Sequence, residues 1–202
     1  MSRVAAIVLA AGTASRYRAV DPTVPTKLVA LIDGVPVVRR VVEGALASGA
    51  RPITLVTGHA APDVCAALEG LPVGFVANPD YATGMASSLR AGLAALPAGV
   101  EGALVLLGDM PGVTAPLLDQ LIEAHAADPD RDAIVPVHEG RRGNPVLLGR
   151  ALFGPAMELQ GDEGARRLLK RAHVLEVDVA DRAVLVDVDD PATLACLADH
   201  GR

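Results

Sequence analysis

A chain of 202 residues that is 51% apolar can bury one sizeable core, which excludes a disordered linker and predicts a single domain over residues 1–202. Lys and Arg number 18 against 24 Asp and Glu, a formal charge of −6, so no domain-wide basic field exists to steer the chain onto nucleic acid. Aromatic residues are only 2%, which removes the usual stacking platform for single strands, and no stretch approaches the ~20 apolar residues that span a bilayer.

The elements follow in chain order. Met1-Ser2-Arg3 and the short apolar run after it, broken by Gly12, do not make a signal peptide. Val4–Leu9 reads instead as a strand buried on both faces. Val37, Val38, Val41, Val42, Ala45 and Leu46 repeat at helical spacing before Gly49. Pro52–Thr57 reads as a strand, Pro62–Glu69 as a helix that includes Cys65, and Val73–Val76 as a short strand. Leu89, Leu93 and Leu96 mark a further helix, Ala103–Leu107 a third apolar strand, and Leu117, Leu118, Leu121 and Ile122 the helix after it. This alternation predicts an α/β fold, a three-layer, doubly wound and mostly parallel sheet with helices on both faces. The C-terminal half is more mixed. Ala133–Val137, Val146–Leu148, Val174–Val177 and Val184–Val188 are strand candidates, with helical stretches near Ala151 and Ala165. Asp190 before Pro191 reads as the cap of a last helix through Leu194, Cys196 and Leu197. Neither cysteine has Cys-x-x-Cys spacing, which fits a reduced, cytoplasmic setting.

Three segments carry candidate chemistry. The turn Leu9-Ala10-Ala11-Gly12-Thr13-Ala14-Ser15-Arg16 is built of small residues whose N–H groups can face an anion, and Arg16 and Lys27 can neutralise phosphate charge. A dinucleotide fingerprint would need Gly where Ala10 and Ser15 stand, and the Gly-Lys-Ser/Thr of a Walker loop is absent. An ordinary strand-to-loop turn fits the same residues. Asp109, in Gly108-Asp109-Met110-Pro111, follows the third apolar strand, where ligands of open α/β sheets bind; it can hold Mg²⁺ or act as a turn residue. The five histidines, His59, His125, His138, His173 and His200, show no paired spacing for zinc. If Val184–Val188 is extended, Asp187 and Asp189 share one face opposite the valines. Two polar islands remain open between structure and function. Asn78–Leu89, with Ser87 and Ser88, can cap a helix, and Gly140–Pro145, with Gly143 and Asn144, can form a hairpin turn. Gly161–Arg166 fits either a capped helix start or a phosphate-facing loop.

Taken in order, these motifs resemble the MobA-like NTP transferase family, most closely its molybdenum cofactor cytidylyltransferase branch. The resemblance covers nearly the whole chain: Leu-Ala-Ala-Gly with Arg16, Lys27-Leu28, Asn-Pro to Gly-Met-Ala-Ser-Ser-Leu, Gly-Asp-Met-Pro, Arg-Gly-Asn-Pro, Gly-Asp-Glu-Gly-Ala-Arg and Asp-x-Asp-x-Pro. It implies Mg²⁺-dependent transfer of a nucleotidyl group from CTP or another NTP to a molybdopterin-type phosphate acceptor. Leu9, Ala10, Ala11, Gly12, Arg16, Lys27, Asn78, Ser87, Ser88 and Asp109 would then line the nucleotide site. Gly143 and Asn144 would face the acceptor, and Asp109 with Asp189 would place the metal, with Arg16, Lys27 and Asp109 the catalytic set. A molybdoenzyme or its chaperone is the protein partner such a product implies. The chain departs from the family in the long segment between Arg16 and Lys27. Nicotine-blue oxidoreductases are similar too, so a nicotinamide-dependent reductase is the alternative, and a nonenzymatic cofactor-handling protein is a third.

Overall fold

A computed structural model describes residues 4–199; Met1-Ser2-Arg3 and His200 lie outside the described residues. Strand β1 (Val4–Ala10) is apolar on both faces because a helical layer covers each side. Val4, Ala6, Val8 and Ala10 join one core cluster and Ile7 the other, the two-residue alternation of a strand. A short helix α1 (Ser15–Val20) follows, then a 3-10 turn at Lys27–Val29 and the small hairpin β2 (Leu31–Ile32) and β3 (Val35–Pro36). Next come α2 (Val37–Ala47), β4 (Ile53–Thr57), α3 (Ala61–Ala67) and β5 (Gly74–Ala77). Helix α4 (Met85–Ala94), β6 (Gly102–Leu107) and α5 (Ala115–Ala127) complete the first half.

The second half holds β7 (Ala133–His138), β8 (Arg141–Arg142), β9 (Val146–Gly149), α6 (Phe153–Ala156), α7 (Ala165–Leu169), β10 (Val174–Asp178) and α8 (Pro191–Asp199). The main sheet runs β10-β7-β9-β6-β1-β4-β5, with β8 paired to β7. Its pairs are parallel except at β9, which is antiparallel to both β6 and β7, and at the β7–β8 hairpin. Buried residues of α2 and α5 pack on one face, those of α4, α6 and α7 on the other. Gly92 lets α4 lie close on the sheet, since a Cβ there would stand 2.5 Å from Ile7 Cγ2. Among the described residues, no helix is long and apolar enough to cross a membrane.

Three local expectations are corrected. Val184–Val188 is not a strand: Arg182–Leu185 forms a 3-10 turn, and the backbone beyond it bonds to loops, Val188 N–H donating to the Asp109 carbonyl at 2.8 Å. Ser87 and Ser88 do not cap α4, whose N-cap is Gly84 with no side-chain bond. The hairpin turns at Glu139-Gly140, both at positive φ, while Arg141 and Arg142 already pair with β7. Asp190 does cap α8, its Oδ1 accepting from Thr193 N–H at 2.7 Å.

Candidate active site

Strand β1 sits between β4 and β6, so chain connections leave it in opposite directions and open a crevice at its carboxyl end. A cleft of about 450 Å³ lies there, walled by Leu9, Ala11, Gly12, the turn through Arg16, Lys27, Ser88, Leu107, Asp109, Asp187 and Asp189. Each charged residue is fixed by an apolar neighbour in sequence. Tyr17, buried beside Arg16, and Val188, buried between Asp187 and Asp189, belong to one cluster with Ala30, Ile32 and Val37. Lys27 rides on a turn pinned by buried Thr26 and Leu28. Asp109 follows β6 through Gly108, whose N–H donates to the Leu9 carbonyl, and is held from below by buried Met110.

The charges meet at short range. Lys27 Nζ stands 2.7 Å from Asp109 Oδ2 and 2.9 Å from Asp189 Oδ1, and Arg16 Nη1 is 2.6 Å from Asp189 Oδ2. Burial works against the charge on Lys27, but the Asp109 and Asp189 carboxylates outweigh it and its pKa is raised. The Lys27 hydrogen bond holds Asp189 below the usual carboxylate range. Asp187 moves the other way: desolvation, then the charges of Asp109 and Asp189, raise it.

Ligating oxygens of Asp109, Asp187 and Asp189 lie within 4.8 Å of one another. Asp109 Oδ1 is buried and accepts no hydrogen bond among the described residues. Three carboxylates with one orphaned buried oxygen fit a hard divalent cation better than a soft one. Extension without strand pairing is enough to put Asp187 and Asp189 together.

Other expected site residues stand outside the cleft wall. Ala10 is a core side chain. Asn78 is buried, its Nδ2 donating to Ser87 Oγ at 2.9 Å and to Ser88 Oγ at 3.0 Å, so of this trio only Ser88 reaches the cleft. Gly143 and Asn144 brace the turn at 182–185: Asn144 N–H donates to the Val184 carbonyl at 2.9 Å. The structure adds wall residues that sequence reading did not single out, Tyr81, Met85 and Asp162. Asp162 carried a signal, since it lies in the Gly161–Arg166 loop; Tyr81 and Met85 carried none beyond lying in a polar island.

Solved structures share this mostly parallel sheet with its flanking helices, a nucleotidyl transferase among them. A nucleotidyl transferase from Methanothermobacter thermautotrophicus superposes with a TM-score of 0.83 at 25% identity, covering 98% of this chain and 96% of that one. The manganese complex of Rv0371c from Mycobacterium tuberculosis superposes with a TM-score of 0.80 at 27% identity, covering 97% and 98%. The chain belongs to the MobA-like NTP transferase domain family, whose model matches residues 6–177. It is 25% identical over 192 residues to the molybdenum cofactor cytidylyltransferase of Escherichia coli, covering 95% of this chain and 93% of that one. It is also 30% identical over 194 residues to the nicotine blue oxidoreductase of Paenarthrobacter nicotinovorans, covering 92% of each.

Proposed function

We propose that the chain, as one domain, transfers CMP from CTP, or another NMP from its NTP, to the phosphate of a molybdopterin-type acceptor and releases pyrophosphate. The observation that carries this reading is the convergence of Arg16 and Lys27 on Asp109 and Asp189 in one cleft. Two cations suit a polyphosphate, and the carboxylates suit a divalent metal.

An acceptor phosphate oxygen forms a bond to the α-phosphorus as the bond from that phosphorus to the pyrophosphate oxygen breaks, the electron pair leaving with pyrophosphate. No protein nucleophile is needed. Two anions must approach each other, and Arg16 and Lys27 offset that repulsion while the backbone of Leu9 through Gly12 leaves room for the phosphates. Ser88 faces the nucleotide, held from behind by Asn78, which also engages Ser87. Gly143 and Asn144 act on the acceptor side through the turn they brace. Mg²⁺ held by Asp109, Asp189 and Asp187 would supply further neutralisation of phosphate charge.

The identity to the nicotine blue oxidoreductase favours a second reading, a nicotinamide-dependent reductase. Pyrophosphate release with Mg²⁺, each NTP in turn and molybdenum cofactor decides between them. Acceptor-dependent release with CTP, falling by about 10²–10³ in Asp109→Asn, is expected for loss of one electrostatic stabiliser. NADPH binding with no release from any NTP would replace the transferase reading with the reductase.

A further inference from the structure

Resting on that reading of the site, we propose that the Lys27 ammonium occupies the seat between Asp109 and Asp189 that a divalent cation needs. The bare metal is therefore held off, and metal and polyphosphate are taken up together.

Both oxygens of Asp189 and one oxygen of Asp109 already hold cations of the protein itself. A metal seated between Asp109 Oδ2 and Asp189 Oδ1, the two oxygens that Lys27 now bridges, must take both from it. The Lys27 side chain is only 14% exposed, so displacing it without a new partner strands an ammonium in a poorly hydrated place. Arg16 differs: its side chain is 83% exposed, and water can take over its charge at little cost. Asp187 makes no ion pair among the described residues, which leaves a lone metal Asp187 and the orphaned Asp109 Oδ1 as its foothold.

An arriving polyphosphate changes the balance, because it offers Lys27 and Arg16 new anionic partners at the moment their carboxylates are released to the metal. Every charge then exchanges one partner for another. The two ligands are coupled through Lys27, and the coupling is reciprocal. The long segment between Arg16 and Lys27 separates a water-exposed cation on the outer oxygen of Asp189 from an enclosed one shared by Asp109 and Asp189.

The test reads Mn²⁺ alone, by the paramagnetic resonance signal of the free ion, in titrations of wild type, Lys27→Met, Lys27→Gln and Arg16→Met, with circular dichroism as the check on folding. Both Lys27 variants should bind Mn²⁺ at least about tenfold more tightly than wild type, while Arg16→Met changes affinity less than about threefold. Equal affinity in wild type and the Lys27 variants overturns the proposal, as does a gain in Arg16→Met as large as in Lys27→Met, which would mean a bulk charge effect. A further arm needs no variant: acetimidate labelling of Lys27, followed by peptide mass spectrometry, should be as slow with millimolar Mn²⁺ as without it. Labelling accelerated by Mn²⁺ alone would show that the metal displaces the ammonium unaided, against the proposal. None of these arms requires turnover, so their outcome is separate from whether pyrophosphate is released.

Discussion

Gly143→Ala tests how the turn that leads to Asp187 and Asp189 is held. A Cβ at position 143 would stand 2.8 Å from both Val184 Cβ and Val184 Cγ2, and closer still to the Val184 carbonyl oxygen. Ordinary contact begins near 3.4 Å, so the turn at 182–185 must retreat by about 0.6 Å or more. Val184 is fully buried and belongs to the main core, so that retreat is an overpacking defect of about 1–3 kcal/mol. For a chain of this size each kcal/mol moves the melting temperature by roughly 2–4 °C, which calorimetry resolves. The same turn leads directly to Asp187 and Asp189. Since a misplacement of about 1 Å can lower a rate 10²-fold, pyrophosphate release should fall at least about tenfold in the folded variant. Gly154→Ala is the control, because no atom lies within 4 Å of the added Cβ. A melting temperature unchanged in Gly143→Ala would refute the packing argument; a lowered one with an undiminished rate would refute the link from the turn to the carboxylates.

Two further outcomes are expected. Asn78→Ala removes the donor to both serine hydroxyls and the acceptor for Asp80 N–H, and should cost about 1–3 kcal/mol in denaturant unfolding. Ser88→Ala should cost less than that and instead raise KM for the NTP; equal stability losses in the two variants would contradict the assignment of Asn78 as the brace. Burial lowers the pKa of His125, with Glu101 opposing, so between that lowered value and about 6.5 the unfolded chain binds more protons than the folded one. Stability should therefore fall as pH drops below about 6.5 and be insensitive to His125 above it. Melting curves of wild type and His125→Gln between pH 5 and 7.5 should diverge in slope only on the acid side, and parallel slopes there would rule out this origin.

Much of the fold was legible because its strongest signals are local. Val4–Leu9 and Ala103–Leu107 are apolar without interruption, and only a strand covered on both faces satisfies that pattern. Val184–Val188 misled because alternating Val and Asp fits a strand, whereas pairing depends on whether a neighbouring edge is free. Here the backbone bonds to Asp109 and Asn144 instead, yet extension alone keeps the two-residue alternation and gathers Asp187 with Asp189. The serines at 87 and 88 misled for a similar reason: a hydroxyl before a helical run suits a cap, but the helix begins earlier, at Met85 with Gly84 as its N-cap, and Asn78 engages both hydroxyls. Arg16, Lys27 and Asp109 were legible as chemical types beside strand ends. That they form one ion-pair network with Asp189 depends on distances across more than 160 positions of sequence, which no local pattern encodes.

The reversed direction of β9 shapes what can vary around the cleft. In an all-parallel sheet every loop at the ligand end leaves a strand. Because β9 runs against β6 and β7, with Val146 opposite Val105, the Gly143–Pro145 segment reaches that end by leading into a strand. The rim thus draws on chain before β6, on Asp109 directly after β6, and on the segment of Asp162, Asp187 and Asp189 after β7. Insertions or exchanges at the β7–β8 turn would therefore leave the register of β1, β4 and β6 untouched, because none of those strands pairs with β7 or β8.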